Sequence, residues 1–376
     1  MSTPADPAGA DPLAPYDAVL LLSFGGPEAP EEVMPFLRRV TAGKGIPDAR
    51  LELVAEHYLA RGGVSPINDE NRALIELFRA ELDARGVGAP ILWGNRNAAP
   101  FLVDTLRDAY RGGLRRVLTV LTSAYSSYSS CRQYREDLAR AAAELAEEGI
   151  EDLVVDKVRP YAVHPGFVAT TTRLVTELLR PVAGRPGLRL LFVTHSVPVA
   201  MDDTSGPGDG EGNLYVDQHL RVAAAVVAGA EAALGATVPH ELVFCSRSGP
   251  PQQAWLEPDV NDRLAELADE GVDIVVLAPI GFVSDHMEVV QDLDTEAAAT
   301  ARRLGMDVVR VPTVGREATF AAGLADLVLE RAAEARGEPV TLVSALTGDV
   351  RPSVCDPGCC PNLRDPAPAL CGRDFR

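Results

Sequence analysis

The sequence predicts an α/β fold of two doubly wound domains, each with a central parallel four-stranded sheet, followed by a Cys-rich C-terminal tail. Three observations predict it. Eight apolar runs of strand length recur along the chain, helix-period stretches separate them, and the runs are near-continuous apolar blocks rather than alternating ones. A strand covered by helices on both faces needs apolar side chains on both, which is the pattern of a buried parallel sheet. With 376 residues, 47% of them hydrophobic, the chain can fill two such cores.

In chain order the first four runs are YDAVLLLSF (16–24), ILWGN (91–95), RVLTVLTSAY (116–125) and DLVVDKV (152–158). The second four are LRLLFVTHS (188–196), ELVFCSRS (241–248), VDIVVLAPI (272–280) and MDVVRVPTV (306–314). Between the sets, RPYAVHPG (159–166) carries Pro160, Pro165 and Gly166, punctuation that marks a boundary. A helix over 318–337 closes the second set. The expected division is therefore a flexible leader at 1–15, domains at 16–162 and 163–337, and the tail at 338–376.

The leader MSTPADPAGADPLAP has neither a basic n-region nor an apolar h-region, so it does not read as a secretory signal. No run reaches the 18 apolar residues of a membrane span, which argues against integral membrane association. Thirty-five basic against 54 acidic side chains leave a formal charge of −19, which excludes general nucleic-acid binding. The cytoplasm is the default setting.

In doubly wound folds ligands gather outside the carboxyl ends of strands. THSVP places His195 at such an end, where imidazole accepts protons near neutral pH or binds a borderline metal. GFVSDHMEVVQDLDTE (281–296) follows another strand. Its Asp285 and Glu288 fit an N-cap and its N3 partner. Glu288, Asp292 and Glu296 stand at i, i+4 spacing, where like charges repel by roughly 0.2–0.5 kcal/mol a pair. Either the row is a solvated face or it is a path for a divalent cation or protons. HYLARGGVSPIND (57–69) reads as an irregular loop that lifts Arg61 and Ser65, with Arg38, Arg39 and Lys44 upstream as further cations. The tail carries Cys355, Cys359, Cys360 and Cys371, four thiols suited to zinc or an iron–sulfur cluster.

Taken together, LLLSFGGPEAPEEV, GGVSPIN, THSVP and GFVSDHMEVVQDLDTE resemble the ferrochelatase family, over most of the chain from about residue 16. The resemblance implies two Rossmann-like domains and insertion of Fe2+ into a porphyrin with release of two protons. It implies that His195 and Glu288 face the macrocycle centre as metal ligands and proton acceptors, with Asp292 and Glu296 continuing the row as an acidic relay. Implied porphyrin contacts are Phe24, Arg38, Arg39, His57, Ser65, Arg96 and Tyr134. Phe24 stands where some bacterial members have a ligating tyrosine, and Asn97 replaces a histidine of some relatives.

The tail resembles a subset of the family that carries a [2Fe–2S] cluster on one internal and three C-terminal cysteines. Cys131 fits the internal place; Cys355, Cys359 and Cys360 are preferred for the others, with Cys371 as substitute, while Cys245 reads as a buried apolar residue. The SFGGPE opening and the tail point to coproporphyrin III as substrate, giving coprohaem III in haem biosynthesis. Alternatives are protoporphyrin IX, a cobalt or nickel tetrapyrrole chelatase, and a non-catalytic haem or porphyrin carrier. Contacts with other haem-pathway enzymes are a further implied partnership.

Overall fold

The computed structural model describes residues 11–207, 212–249, 252–348 and 350–370. Eight strands form two sheets. The first holds β1 (Ala18–Ser23), β2 (Ile91–Asn95), β3 (Arg116–Leu121) and β4 (Val154–Lys157), in the order β2-β1-β3-β4. The second holds β5 (Leu188–His195), β6 (His240–Cys245), β7 (Ile274–Ala278) and β8 (Asp307–Arg310), in the order β6-β5-β7-β8. All pairings are parallel, so every strand of a sheet delivers its carboxyl end to the same edge.

Every residue of β1 is buried because both of its faces are covered. Successive side chains point to opposite faces of a strand. Val19 and Leu21 accordingly pack with Leu74, Phe78 and Leu82 of the helix Ile67–Ala84, while Leu20 and Leu22 pack with Leu102, Leu106 and Leu138. β5 repeats the arrangement: Leu190 and Phe192 face one core, Leu191 and Val193 the other. Each such side chain contributes about 1.5–3 kcal/mol on burial.

One core is shared by both sheets. It joins Val19 and Leu118 of the first to Leu190 and Val276 of the second through the helices Pro165–Leu179, Leu214–Leu234 and Ala318–Ala335. The first and last of these touch backbone to backbone: a Cβ on Gly166 would lie 2.8 Å from Gly323 Cα. Tyr161, Ala162 and Val163 between β4 and β5 are buried in the same core.

Most predicted strands end a few residues early, because their last residues leave the ladder for the loops that carry polar groups. The expected leader differs more. Residues 1–10 lie outside the described part, but residues 11–15 turn against the body: Leu13 is buried in the shared core and Arg336 donates to Pro12 O at 2.9 Å. A leucine with a core site open to it does not stay in solvent. The tail lies along the first sheet's flank. Arg132 donates to Ala367 O (2.9 Å), Leu370 N–H to Arg135 O (2.9 Å), and the buried Lys157 to Ser353 O (2.9 Å). Among the described residues no helix is long and apolar enough to cross a membrane.

Candidate active site

His195 is the last residue of β5, and two bonds fix it. The Tyr215 hydroxyl donates to its carbonyl at 2.9 Å, and its Nδ1 faces Ser196 O within hydrogen-bonding distance. Ser196 is itself held, its N–H on Cys245 O and its hydroxyl on Leu256 O, both at 2.8 Å. A carbonyl partner demands a proton on Nδ1, which leaves the Nε2 lone pair outward as base or ligand. Nε2 lies 3.6 Å from Glu288 Oε2. The chain after β7 reaches this place because Gly281 crosses Thr194 so closely that a Cβ there would meet Thr194 Oγ1 at 2.0 Å.

The acidic segment is not one α-helix. A single turn, Met287–Val289, passes into a π-helix, Val290–Ala297, and then into Ala298–Arg303. Thr295 Oγ1 donates to Val290 O, five residues back, at 3.3 Å. Such segments are rare and occur mostly at functional sites. The N-cap is His286, so the predicted Asp285–Glu288 capping box does not form. Arg310 of β8 takes the Asp285 carboxylate instead, at 2.7 and 3.1 Å, and also binds Asp294 at 2.6 Å.

Asp292 accepts a hydrogen bond from Ser246. Burial pushes its pKa up to about 6; Ser246 opposes this, while Glu288 and Glu296 add to it. Glu296 accepts from Gln291 at 3.0 Å. Asp292 thus feels Glu288 and Glu296 as like charges and His195 as an opposing one. His286, beside it, has its pKa lowered first by burial, with the His195 charge acting in the same direction.

An apolar cluster adjoins the pair. Phe36, Tyr58 and Ala98 cluster with Met287, the neighbour of Glu288, and Phe24 and Met34 pack against them. Phe24 meets Phe36 edge-on at 6.1 Å.

The predicted porphyrin contacts divide into exposed and buried groups. Arg38 is exposed and paired with Asp48 at 2.7 Å; Arg39 donates to Asn97 O at 2.8 Å; His57 is exposed on the helix Asp48–Leu59. Arg61 reaches across to Thr295 Oγ1 at 2.6 Å. Ser65 is buried, its N–H on Pro27 O at 2.9 Å. Arg96 is buried in an ion pair with Asp137, and its guanidinium lies 4.5 Å over the buried Tyr134 ring. Lys44 lies within charge range of Glu288, Arg96 and Arg364, which brings a tail residue to the rim.

Cys131, Cys355, Cys359 and Cys360 are buried in one cluster under the tail. Cys131 sits in a second π-helical turn, Tyr128–Arg132, capped by Ser127. The Cys359 and Cys360 sulfurs are 3.8 Å apart. A hydrogen bond from Cys360 lowers the Cys131 pKa; burial opposes it, and the Lys157 and Arg135 charges assist. Cys371 lies outside the described residues. Cys245 is buried beneath the row, and burial pushes its thiol pKa well up. Among the described residues, no group of three or more His, Cys, Asp or Glu side chains is arranged to hold a metal ion.

Sequence reasoning missed Arg310, Ser246, Tyr215 and Arg364. For Ser246 the signal is backbone strain, which the sequence hides. Among the described residues three non-glycines have positive φ: Asn213 (62°), Ser246 (61°) and Cys360 (50°). Strain of this kind concentrates at functional sites.

Fold and cleft together define a two-sheet α/β protein with an imidazole–carboxylate pair suited to a borderline divalent metal. The ferrochelatase profile matches residues 16–332, and the chain belongs to the ferrochelatase family. It is 51% identical over 367 residues to the coproporphyrin III ferrochelatase of Streptomyces coelicolor, covering 96% of this chain and 97% of that one. It is 52% identical, with the same coverage, to the protein of that name from Streptomyces griseus. Among solved structures, SirB from Bacillus subtilis with Fe3+ aligns with a TM-score of 0.47 and 13% identity, over 85% of this chain and 97% of that one.

Proposed function

We propose that this chain inserts Fe2+ into coproporphyrin III in the cytoplasm, releasing two protons and giving coprohaem III for haem biosynthesis. Family membership supports iron insertion, and relatives of about half identity over nearly the whole chain bear the coproporphyrin III name. The observation that carries the reading is the pair His195 Nε2 and Glu288 Oε2, 3.6 Å apart beside an apolar cluster that includes Met287. A flat macrocycle stacked on Phe24 and its neighbours presents its centre to that pair. Neutral imidazole and carboxylate bind Fe2+ without gripping it as thiolates do, so the metal can be handed on.

The pyrrole protons leave to the same two groups. Asp292, poised near neutral pH, accepts a proton in turn and passes it toward the exposed Glu296. Arg38, Arg39 and Arg61 are the exposed cations for the propionates and His57 an exposed hydrogen-bonding partner, with Lys44 and Arg364 nearby. Arg96 and Tyr134 act from beneath as supports, because their charge and hydroxyl are already engaged.

The four thiols, though not drawn together as a metal group here, have the donor chemistry and burial that a [2Fe–2S] cluster takes. Four buried sulfurs from two distant segments, beside the buried Lys157 and Arg135, suit an anionic four-thiolate group. Cys131, Cys355, Cys359 and Cys360 would hold it, and it would supply a covalent tie between tail and body and a one-electron couple.

Anaerobic assay of the purified chain with Fe2+ and either coproporphyrin III or protoporphyrin IX tests the reading. Faster turnover of coproporphyrin III is expected, abolished in His195→Ala and Glu288→Gln variants that still bind porphyrin. Preference for protoporphyrin IX, turnover with Co2+ or Ni2+ alone, or tight binding without turnover would each overturn it.

A further inference from the structure

The thiol cluster and His195 are joined by a short series of hydrogen bonds linked through the Gly206–Ser205 peptide and the Tyr215 side chain. Cys360 and Gly206 bind each other through both backbone N–H groups, Cys360 N–H donating to Gly206 O at 2.9 Å and Gly206 N–H to Cys360 Sγ at 3.3 Å, and the Cys360 thiol also donates to Gly206 O at 3.6 Å, a bond that a thiolate would give up. Next to Gly206, the Ser205 hydroxyl accepts from Tyr215 N–H at 2.9 Å and donates to Asp202 O at 2.7 Å. Tyr215 completes the run, its hydroxyl on His195 O at 2.9 Å and on Thr194 Oγ1 at 2.7 Å. Ser205, Tyr215, Asp202 and Cys360 are all buried, so these bonds are not exchanged freely with water.

Two features make this a connection rather than a chance series. Cys360 holds a left-handed backbone at φ 50°, an arrangement that persists only where surrounding bonds over-determine it, and the Gly206 bonds act on that residue. The segment's return is equally constrained. Asn213 N–H donates to Asp202 O at 2.7 Å, Asn213 is itself left-handed, and Gly212 passes so near Asp203 O that a Cβ would come within 1.8 Å of it. The Asp202–Gly206 turn and the start of the helix Leu214–Leu234 therefore move as one piece.

We infer that Tyr215 is a positioning residue for His195, and that through Ser205 and Gly206 it ties the placement of the imidazole to the state of the thiol site at Cys360. A thiolate engaged by metal accepts a stronger hydrogen bond from Gly206 N–H than a thiol does. The tightened turn then holds Tyr215 N–H, and with it the hydroxyl that bears on His195 O. The thiol site supplies no side chain to the His195–Glu288 pair, yet it bears on that pair's geometry. This rests on the iron-insertion reading for its kinetic readout but not for its spectroscopic one.

The test is a pair of double-variant cycles, Tyr215→Phe with Cys360→Ser and Tyr215→Phe with Ser205→Ala. The second keeps all four thiols, so it stands if Cys360→Ser fails to fold. Two quantities are read: kcat and porphyrin KM for iron insertion, and the His195 imidazole Cε1 resonance in histidine-labelled protein, assigned with His195→Ala. Tyr215→Phe should lower kcat about 10-fold, the scale of a sub-ångström misplacement, with KM within about 2-fold. It should shift the His195 resonance while iron and sulfide per chain stay at the wild-type level. Either partner variant should shift the same resonance, and each double variant should go no further than its larger single. Losses that multiply in both cycles, or an unmoved resonance in Tyr215→Phe, would overturn the link. If wild-type protein inserts no iron, the function reading fails, and the resonance arm alone decides the link.

Discussion

Arg310 holds the acidic segment at two points, and its removal should be felt in both stability and turnover. Arg310→Met keeps most of the side-chain volume but removes three charge-assisted bonds, two to Asp285 (2.7 and 3.1 Å) and one to Asp294 (2.6 Å). Stripping one partner from a fully buried ion pair costs about 3–5 kcal/mol, because a carboxylate is left uncompensated. Here the arginine is 20% exposed, Asp285 19% and Asp294 35%, so solvent screens part of that. A loss of about 2–3 kcal/mol is the consistent figure. Denaturant unfolding should show the midpoint lowered at unchanged slope. Glu288 follows Asp285 by three residues, and a displacement of about 1 Å at a reacting group costs roughly 10²-fold. The kcat should therefore fall 10- to 100-fold. Adding Asp285→Asn removes the stranded charge and should recover about half of the stability but little of the rate. Unfolding within about 0.5 kcal/mol of wild type together with unchanged kcat would refute the clamp.

Three further outcomes follow from the same geometry. Asp292 has its pKa raised to about 6 by burial, so iron insertion should rise with pH through that value, and Asp292→Asn should remove this limb of the profile. Burial lowers His219 to about 3 and His164 to about 4, both far below the ordinary histidine value. The unfolded chain takes up these two protons below about pH 6.5 while the fold refuses them, so their stabilisation is complete above that pH and is lost as pH falls toward the folded values. Asp292 works the other way, binding its proton first when folded, and the net loss between pH 7 and pH 5 should be about 2–3 kcal/mol by denaturant titration at each pH. Cys131→Ser should abolish visible absorbance with the iron and sulfide it reports, and should lower the melting temperature by several degrees. A tie from residue 131 to beyond 354 closes a loop long enough to be worth several kcal/mol; stoichiometric zinc without sulfide would exclude the cluster.

The sheets were legible because burial on both faces writes itself into composition: AVLLLS and IVVLA admit little else. His195 was legible as the end of a strand, and its nearness to Glu288 was implied only by the family motifs. What was not legible depends on partners far along the chain. Asp285 reads as a cap until Arg310, 25 residues later, is seen to occupy it. Arg96 reads as a surface cation until Asp137, 41 residues on, takes it inside. The i, i+4 spacing of the acids is equally compatible with an α-helix, and only the fold shows that the turn is widened. Leu13 looks like part of a polar leader because its core site is assembled from residues hundreds of positions away.

The acidic row itself is better explained by burial than by repulsion. Like charges one turn apart cost only roughly 0.2–0.5 kcal/mol a pair on an exposed helix. The rise of Asp292 from an ordinary carboxylate value to about 6 corresponds to about 3 kcal/mol of disfavoured ionisation, several times more. Desolvation is its first cause, and the hydrogen bond from Ser246, a residue held in a left-handed conformation, opposes it and keeps the value near neutrality. The fold thus spends conformational strain at Ser246 and anchors the segment through Arg310 to keep one carboxyl near its ionisation point. A group poised there takes a pyrrole proton readily and gives it up readily. A fully solvated carboxylate at its ordinary value, about two pH units lower, would do only the second.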